Sequence, residues 1–352
     1  MIDYLVVGLG LAGVSFCEQL EVTGKEYKVI SDGSQTSSLV AGGLYNPVIL
    51  KRFTLAWNAD SQLETALSFY GKLETKLGVQ LDYKIPILRK FASIEEQNLW
   101  FEAADKKKLE RFLSTTVVEN GNEAIAAPFG FGKVLHTGRI DVKTLIASYE
   151  AHLLEKEKFV KETFDFDSLQ VLQGYVKYKN IEAKRIVFAQ GFGLKKNPYF
   201  NYLPLQGSKG ELLTIKASAL KVNEIIKSSV FIIPLGRDHY RVGATYERTD
   251  KTNTPTERAK NELLTKLHTF IKSEYEIVGH AAGIRPTVAD RRPLVGRHPE
   301  HKQMYVLNGL GSRGVLIAPT VSKQLWEFIE NEVMLPPEID IQRYNKKYTI
   351  SS

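Results

Sequence analysis

The chain opens on β-forming residues from Ile2 to Val7, apolar throughout from Tyr4, and then spaces Gly8, Gly10 and Gly13 over a few residues. Such a run suits a strand buried on both faces. Leu11 to Val22 then reads as a helix, and Tyr27 to Ser31 as a second strand ending at Asp32. Residues 58 to 78 place Leu63, Ala66, Leu67, Tyr70, Leu73 and Leu77 on one helical face. Short β-like runs, Leu81 to Ile85 and Ile87 to Phe91, follow in a polar region and are assigned to a different sheet. Asp141 is placed to cap a helix over Val142 to Glu155. Val171 to Tyr178 and Ala183 to Ala189 read as strands, the second ending in Gln190-Gly191 as a parallel strand does when it returns to a nucleotide site.

From Leu203 to about Gly279 the pattern alternates. It predicts strands at Gly210 to Ile215, Val230 to Pro234 and Tyr240 to Thr245, with a helix near Glu257 to Ser273. Alternation implies antiparallel pairing with one face solvated or lining a pocket. A last strand, Met304 to Leu307, leads through a glycine-rich turn to a final helix from about Ala318 to Glu330. The expected fold is α/β: a discontinuous Rossmann-like domain (1–78, 136–192 and 279–335) and a second, α+β domain on an antiparallel sheet (79–135 and 193–278). A polar, loosely held tail is expected over 336–352.

Length agrees with two domains, since 352 residues exceed one ordinary core. The single cysteine, Cys17, rules out an internal disulfide framework and fits a reducing compartment. No basic n-region or cleavage site precedes the first strand and no stretch of about twenty apolar residues is present, so neither export nor a membrane span is expected, and the location expected is cytoplasmic. The net charge of +7 is spread over pairs and triplets such as Lys51-Arg52 and Lys106-Lys107-Lys108, which allows an anionic partner without naming one.

The chemistry begins at the first glycines. Gly8 permits a tight turn, Gly10 lets backbone approach a pyrophosphate, Gly13 lets the helix pack on the strand, and the helix N-terminus at Leu11 and Ala12 faces the phosphates. Asp32, about twenty residues on, is placed for ribose hydroxyls and argues against a phosphorylated ribose, leaving NAD or FAD. Ala41 to Pro47 holds adjacent Gly42 and Gly43 where backbone passes something bulky, or simply turns. No Ser-His-Asp set and no metal-ligand cluster is apparent.

Taken together, Gly8 to Gly13 with Asp32, Ala41 to Pro47, Phe188 to Gly191, Gly283 to Pro286 with Asp290 and Pro293, and Gly309 to Pro319 resemble the FAD-dependent amine and amino-acid oxidoreductases that include D-amino-acid, glycine and sarcosine oxidases. The Gly309 to Gly314 motif with Ala318-Pro319 is most similar to the FAD-dependent half of the bifunctional enzyme that finishes methylaminomethyl-2-thiouridine in tRNA.

The resemblance implies non-covalent FAD, with Gly8, Gly10, Leu11, Ala12 and Gly13 at the pyrophosphate and Asp32 at the ribose. It implies Gly42, Gly43 and Leu44 beside flavin N5, Ala189 and Gly191 at the strand end, and Gly311, Ser312, Gly314 and Val315 at the N1/O2 edge. Arg285 is the candidate for a substrate carboxylate, with Arg313 and Tyr246 as further catalytic candidates and Tyr45 and His280 as weaker ones. The activity implied is oxidation of a C–N bond in an amino acid or secondary amine by hydride transfer to flavin N5, giving an imine that hydrolyses. Oxygen or another acceptor would reoxidise the flavin. The alternatives are FAD-dependent removal of a carboxymethyl group from a wobble uridine of tRNA, an NAD-dependent dehydrogenase, and a flavin-binding protein without turnover.

Overall fold

A computed structural model describes residues 1–351 and places most strands in two large sheets. The first sheet is built around Ile2–Val7, which pairs in parallel with Tyr27–Ile30 and Ile181–Phe188. Tyr4, Leu5 and Val6 are wholly buried, as a strand covered on both faces requires. Met304–Asn308 continues the parallel set beyond Ile181–Phe188. Helix Leu11–Val22 follows the first strand so closely that a Cβ on Gly13 would lie 2.0 Å from the Gly8 carbonyl oxygen.

Helices Ala59–Leu77 and Leu11–Val22 both pack on the last long helix, Gly314–Asn331, and share its core. That helix starts four residues before the expected Ala318 and carries Pro319 within it. Proline has no N–H to donate to the carbonyl one turn back. The Tyr70 hydroxyl donates to that carbonyl, on Val315, at 3.0 Å.

The second sheet runs in the order Glu276–Val288, Leu205–Lys216, His239–Gly243, Phe231–Gly236, Ile225–Lys227, Ile87–Lys90, Phe131–Val134, Leu113–Val118. It is antiparallel except where Ile225–Lys227 meets Ile87–Lys90. Leu213, Ile215, Ile232 and Val242 face the helix Glu257–His268, packing with Leu263 and Leu267. The opposite face carries Gly210, Leu212 and Ile233 toward the first domain.

Several expectations change here. Val171 to Tyr178 is a hairpin, Leu169–Leu172 with Tyr175–Tyr178, because Gly174 turns the chain. The polar region holds an unexpected helix, Ile94–Ala104, although Ser93 and Glu96 spell a capping signal; the Ser93 hydroxyl accepts from Glu96 N–H at 3.3 Å. The domain boundary expected at 279 falls inside the strand Glu276–Val288, so Gly283 to Pro286 is strand. The tail expected over 336–352 is docked through Tyr344: Ile339 and Ile341 are buried, and Arg343 Nε lies 3.0 Å from Asp290. Ser352 lies outside the described residues. No helix among them is long and apolar enough to cross a membrane.

Candidate active site

The carboxyl ends of the first sheet's parallel strands and one face of the second sheet enclose a cleft of about 880 Å³. At one end it is floored by the turn after the first strand, with Gly8, Gly10, Leu11 and Ala12 in its wall. The helix that begins there has no side-chain cap and no acidic residue in its first turn. Its unsatisfied N–H groups and positive dipole end therefore face the cleft. One of them, on Leu11, is met by the Ser38 hydroxyl at 3.3 Å. Gly13 lies behind this wall and supports it by packing alone.

Asp32 stands in the wall beyond. Partial burial opposes its ionisation, but hydrogen bonds from the Ser34 N–H and hydroxyl and the Thr163 hydroxyl outweigh this and hold its pKa below the usual carboxylate value. The Ser34 N–H and Thr163 hydroxyl contacts are both 2.9 Å. Ala189 and Gly191 close this side, where the Gly191 carbonyl accepts from Asn308 at 2.9 Å.

At the other end Gly42, Gly43 and Leu44 line the cleft. Gly43 is pressed against the Ile140 carbonyl, so its close approach serves the strand Gly138–Ile140. Arg241 fixes the preceding turn by donating to the Val40 and Ala41 carbonyls at 3.5 and 3.1 Å. Opposite, Gly311, Ser312, Gly314 and Val315 present the start of Gly314–Asn331, again with no side-chain cap and no acid in the first turn. Two uncapped helix starts thus look into one cleft.

Arg285 reaches this cleft from the second sheet. Its guanidinium is mostly buried, which lowers its pKa, and no ion pair joins it to a carboxylate among the described residues. Nη1 donates to the Thr245 carbonyl at 3.3 Å. A buried cation with donors to spare is suited to bind a carboxylate in two-point fashion.

The remaining candidates lie elsewhere. Arg313 does not line the cleft; its Nη1 donates to the Asn46 carbonyl at 3.4 Å. Tyr246 is 59% exposed and outside the lining, with its ring 6.0 Å from the Arg285 guanidinium. His280 sits 2.9 Å from Glu211, and Tyr45 donates to Asp82 at 2.7 Å, both away from the cleft. Ser38, Thr163, Arg241 and Asn308 were not singled out beforehand. Single polar residues carry no periodic signal, and only the fold brings them to the site.

A family model described as DAO, FAD dependent oxidoreductase, matches residues 3–327. The chain is 23% identical over 339 residues to the tRNA 5-methylaminomethyl-2-thiouridine biosynthesis bifunctional protein MnmC of Idiomarina loihiensis, covering 91% of this chain and 54% of that one. It is 23% identical over 344 residues to the glycine oxidase of Pseudomonas aeruginosa, covering 91% and 93%. The crystal structure of glycine oxidase from Geobacillus kaustophilus superposes with a TM-score of 0.79 at 17% identity and covers 97% of both chains, so the fold is shared. The chain thus spans about half the length of the bifunctional relative.

Proposed function

This chain belongs to the FAD dependent oxidoreductases, and we propose that it oxidises a C–N bond of an amino acid or secondary amine to an imine, which water hydrolyses. The observation that carries the reading is Arg285, a mostly buried guanidinium in the cleft wall with no carboxylate among the described residues to neutralise it.

The residues present fit FAD. Two helix starts lack acidic first turns and converge on one cleft, and an ionised Asp32 stands one strand away. Gly8, Gly10, Leu11 and Ala12 would hold the pyrophosphate, Asp32 the ribose, and Gly311, Ser312, Gly314 and Val315 the flavin edge that gains negative charge on reduction. Bound FAD supplies the two-electron acceptor. Cys17 is wholly buried in the first helix, which supports non-covalent binding. Arg285 binds the substrate carboxylate and fixes which C–H faces the acceptor, while Leu212, Phe231 and Ile233 exclude water from the reacting carbon. Oxygen is the simplest final acceptor. The cytoplasm is the location in keeping with a single, buried cysteine.

The test is anaerobic bleaching of the flavin by a panel of glycine, sarcosine, D-amino acids, proline and carboxymethylaminomethyl nucleosides. Arg285→Ala should keep FAD and raise KM for carboxylate substrates about a hundredfold. Unchanged kinetics would remove Arg285 from the site. The second reading, action on a wobble uridine of tRNA, is supported by similarity to the bifunctional protein over 91% of this chain and by the +7 charge. It requires salt-dependent tRNA binding, and no detectable binding at low salt would sink it.

A further inference from the structure

Behind Arg285, on the face of the sheet turned away from the cleft, lies a buried charged network that binding and cofactor contacts leave unexplained. Strand alternation puts Gly210 on the cleft face and its neighbours Lys209 and Glu211 on the other. Lys209 is wholly buried. Its ammonium lies 2.6 Å from Asp250 and 3.4 Å from Glu211, and also donates to the Thr254 carbonyl. The Glu211 carboxylate accepts from the Thr256 N–H and hydroxyl at 2.8 and 2.9 Å and faces His280 at 2.9 Å.

Apart from the contacts of Glu211 with Lys209 and His280, these bonds pin one segment, residues 245–256, which leaves the strand His239–Gly243 and continues without regular pairing to the helix Glu257–His268. Backbone bonds add to the anchoring. Lys209 and Glu247 exchange N–H donations at 2.8 and 2.9 Å, and the Thr245 N–H and hydroxyl meet the Glu211 carbonyl and N–H at 3.2 and 2.9 Å. Thr245 is the residue whose carbonyl accepts from Arg285. A buried ion pair is a poor source of stability, because desolvation offsets much of the attraction. Its use here is geometric.

We propose that Lys209 is a positioning residue: through Asp250, Glu211 and the 245–256 segment it fixes the Thr245 carbonyl, and so the direction in which Arg285 presents its free donors to a substrate carboxylate. This rests on the reading of Arg285 given above. Lys209 touches neither cleft nor substrate, and its effect reaches the site through Arg285.

The experiment is a double-mutant cycle on the FAD-loaded protein, with Lys209→Met and Arg285→Lys, singly and together. The readouts are the perturbation of flavin absorbance by glycolate, as a carboxylate probe, and KM and kcat for the amine that bleaches the flavin. Lys209→Met should weaken glycolate binding and raise KM about tenfold while kcat changes little. In the Arg285→Lys background the same substitution should change either by less than about twofold, since its route is already broken. Equal effects in both backgrounds, or no effect of Lys209→Met, would overturn the proposal. If Lys209→Met does not fold, Asp250→Asn, which removes the outer anchor, takes its place in the cycle with the same expectations. A null result for Arg285→Lys and Arg285→Ala, with Lys209→Met still active on KM, would instead refute the reading of Arg285.

Discussion

The Arg285 guanidinium lies directly over Gly210, so that a Cβ on residue 210 would sit 2.0 Å from Nη2. The two strands are paired with Gly210 opposite Gly283 and Ser208 opposite Arg285, which makes the contact a diagonal across one face of the sheet. Gly210→Ala should therefore expel the guanidinium from its seat. The expected result is a rise in KM for carboxylate substrates of about tenfold or more with FAD content retained; a KM within twofold of the parent would show that the guanidinium is free to shift.

Gly13 tests the nucleotide wall in a different way. A methyl group there meets the backbone oxygen of Gly8, which cannot rotate aside. Gly13→Ala is expected to force the first helix off the strand, costing on the order of 2–3 kcal/mol of stability by overpacking and most of the bound FAD. Thermal unfolding and the flavin-to-protein absorbance ratio measure both.

Asp32 and Thr163 act as a pair, since the Thr163 hydroxyl holds the carboxylate that faces the cleft. Asp32→Ala should weaken FAD binding by about one to two orders of magnitude, as loss of a charged acceptor does, and Thr163→Val by less. Fluorescence titration of the apoprotein with FAD gives both constants, and an unchanged Kd for Asp32→Ala would move the ribose elsewhere.

Arg313 donates to the Asn46 carbonyl and stays out of the cleft wall. Arg313→Ala should leave KM within about threefold of the parent and cost on the order of 1 kcal/mol of stability, the worth of one hydrogen bond. A hundredfold loss in kcat/KM would return Arg313 to the site.

The first helix also carries an acid-sensitive anchor. Burial disfavours the charge on Glu21, but hydrogen bonds from Lys76, Tyr27 and His152 outweigh it and hold the pKa at about 2, below the ordinary 4.5. A carboxylate depressed on folding adds stability that is complete above the unfolded pKa and disappears as pH falls through the folded one. Glu21→Gln should thus be less stable by roughly 2–3 kcal/mol at pH 7. The gap should close between pH 4.5 and 2, measured by denaturant unfolding against pH.

How much of this was legible follows from where the information sits. Local pattern determined the first strand, the Gly8 to Gly13 turn, Asp32 after the second strand, the Asp141-capped helix and the glycine-rich turn ahead of the last helix, because each is written within a few consecutive residues. It could not settle the strand Glu276–Val288. Gly279, Gly283 and Pro286 disfavour a strand locally, and only pairing along Leu205–Lys216 makes them extended. Nor could it separate Arg285 from Arg313: both are arginines near glycines that donate to a backbone carbonyl, and only Arg285 also lines the cleft. Burial, and the seat that Gly210 leaves for Arg285, are properties of strands distant in sequence. The chain by itself determined that a dinucleotide-binding turn and a cationic candidate exist; tertiary structure decided which cation faces the cleft and what holds it there.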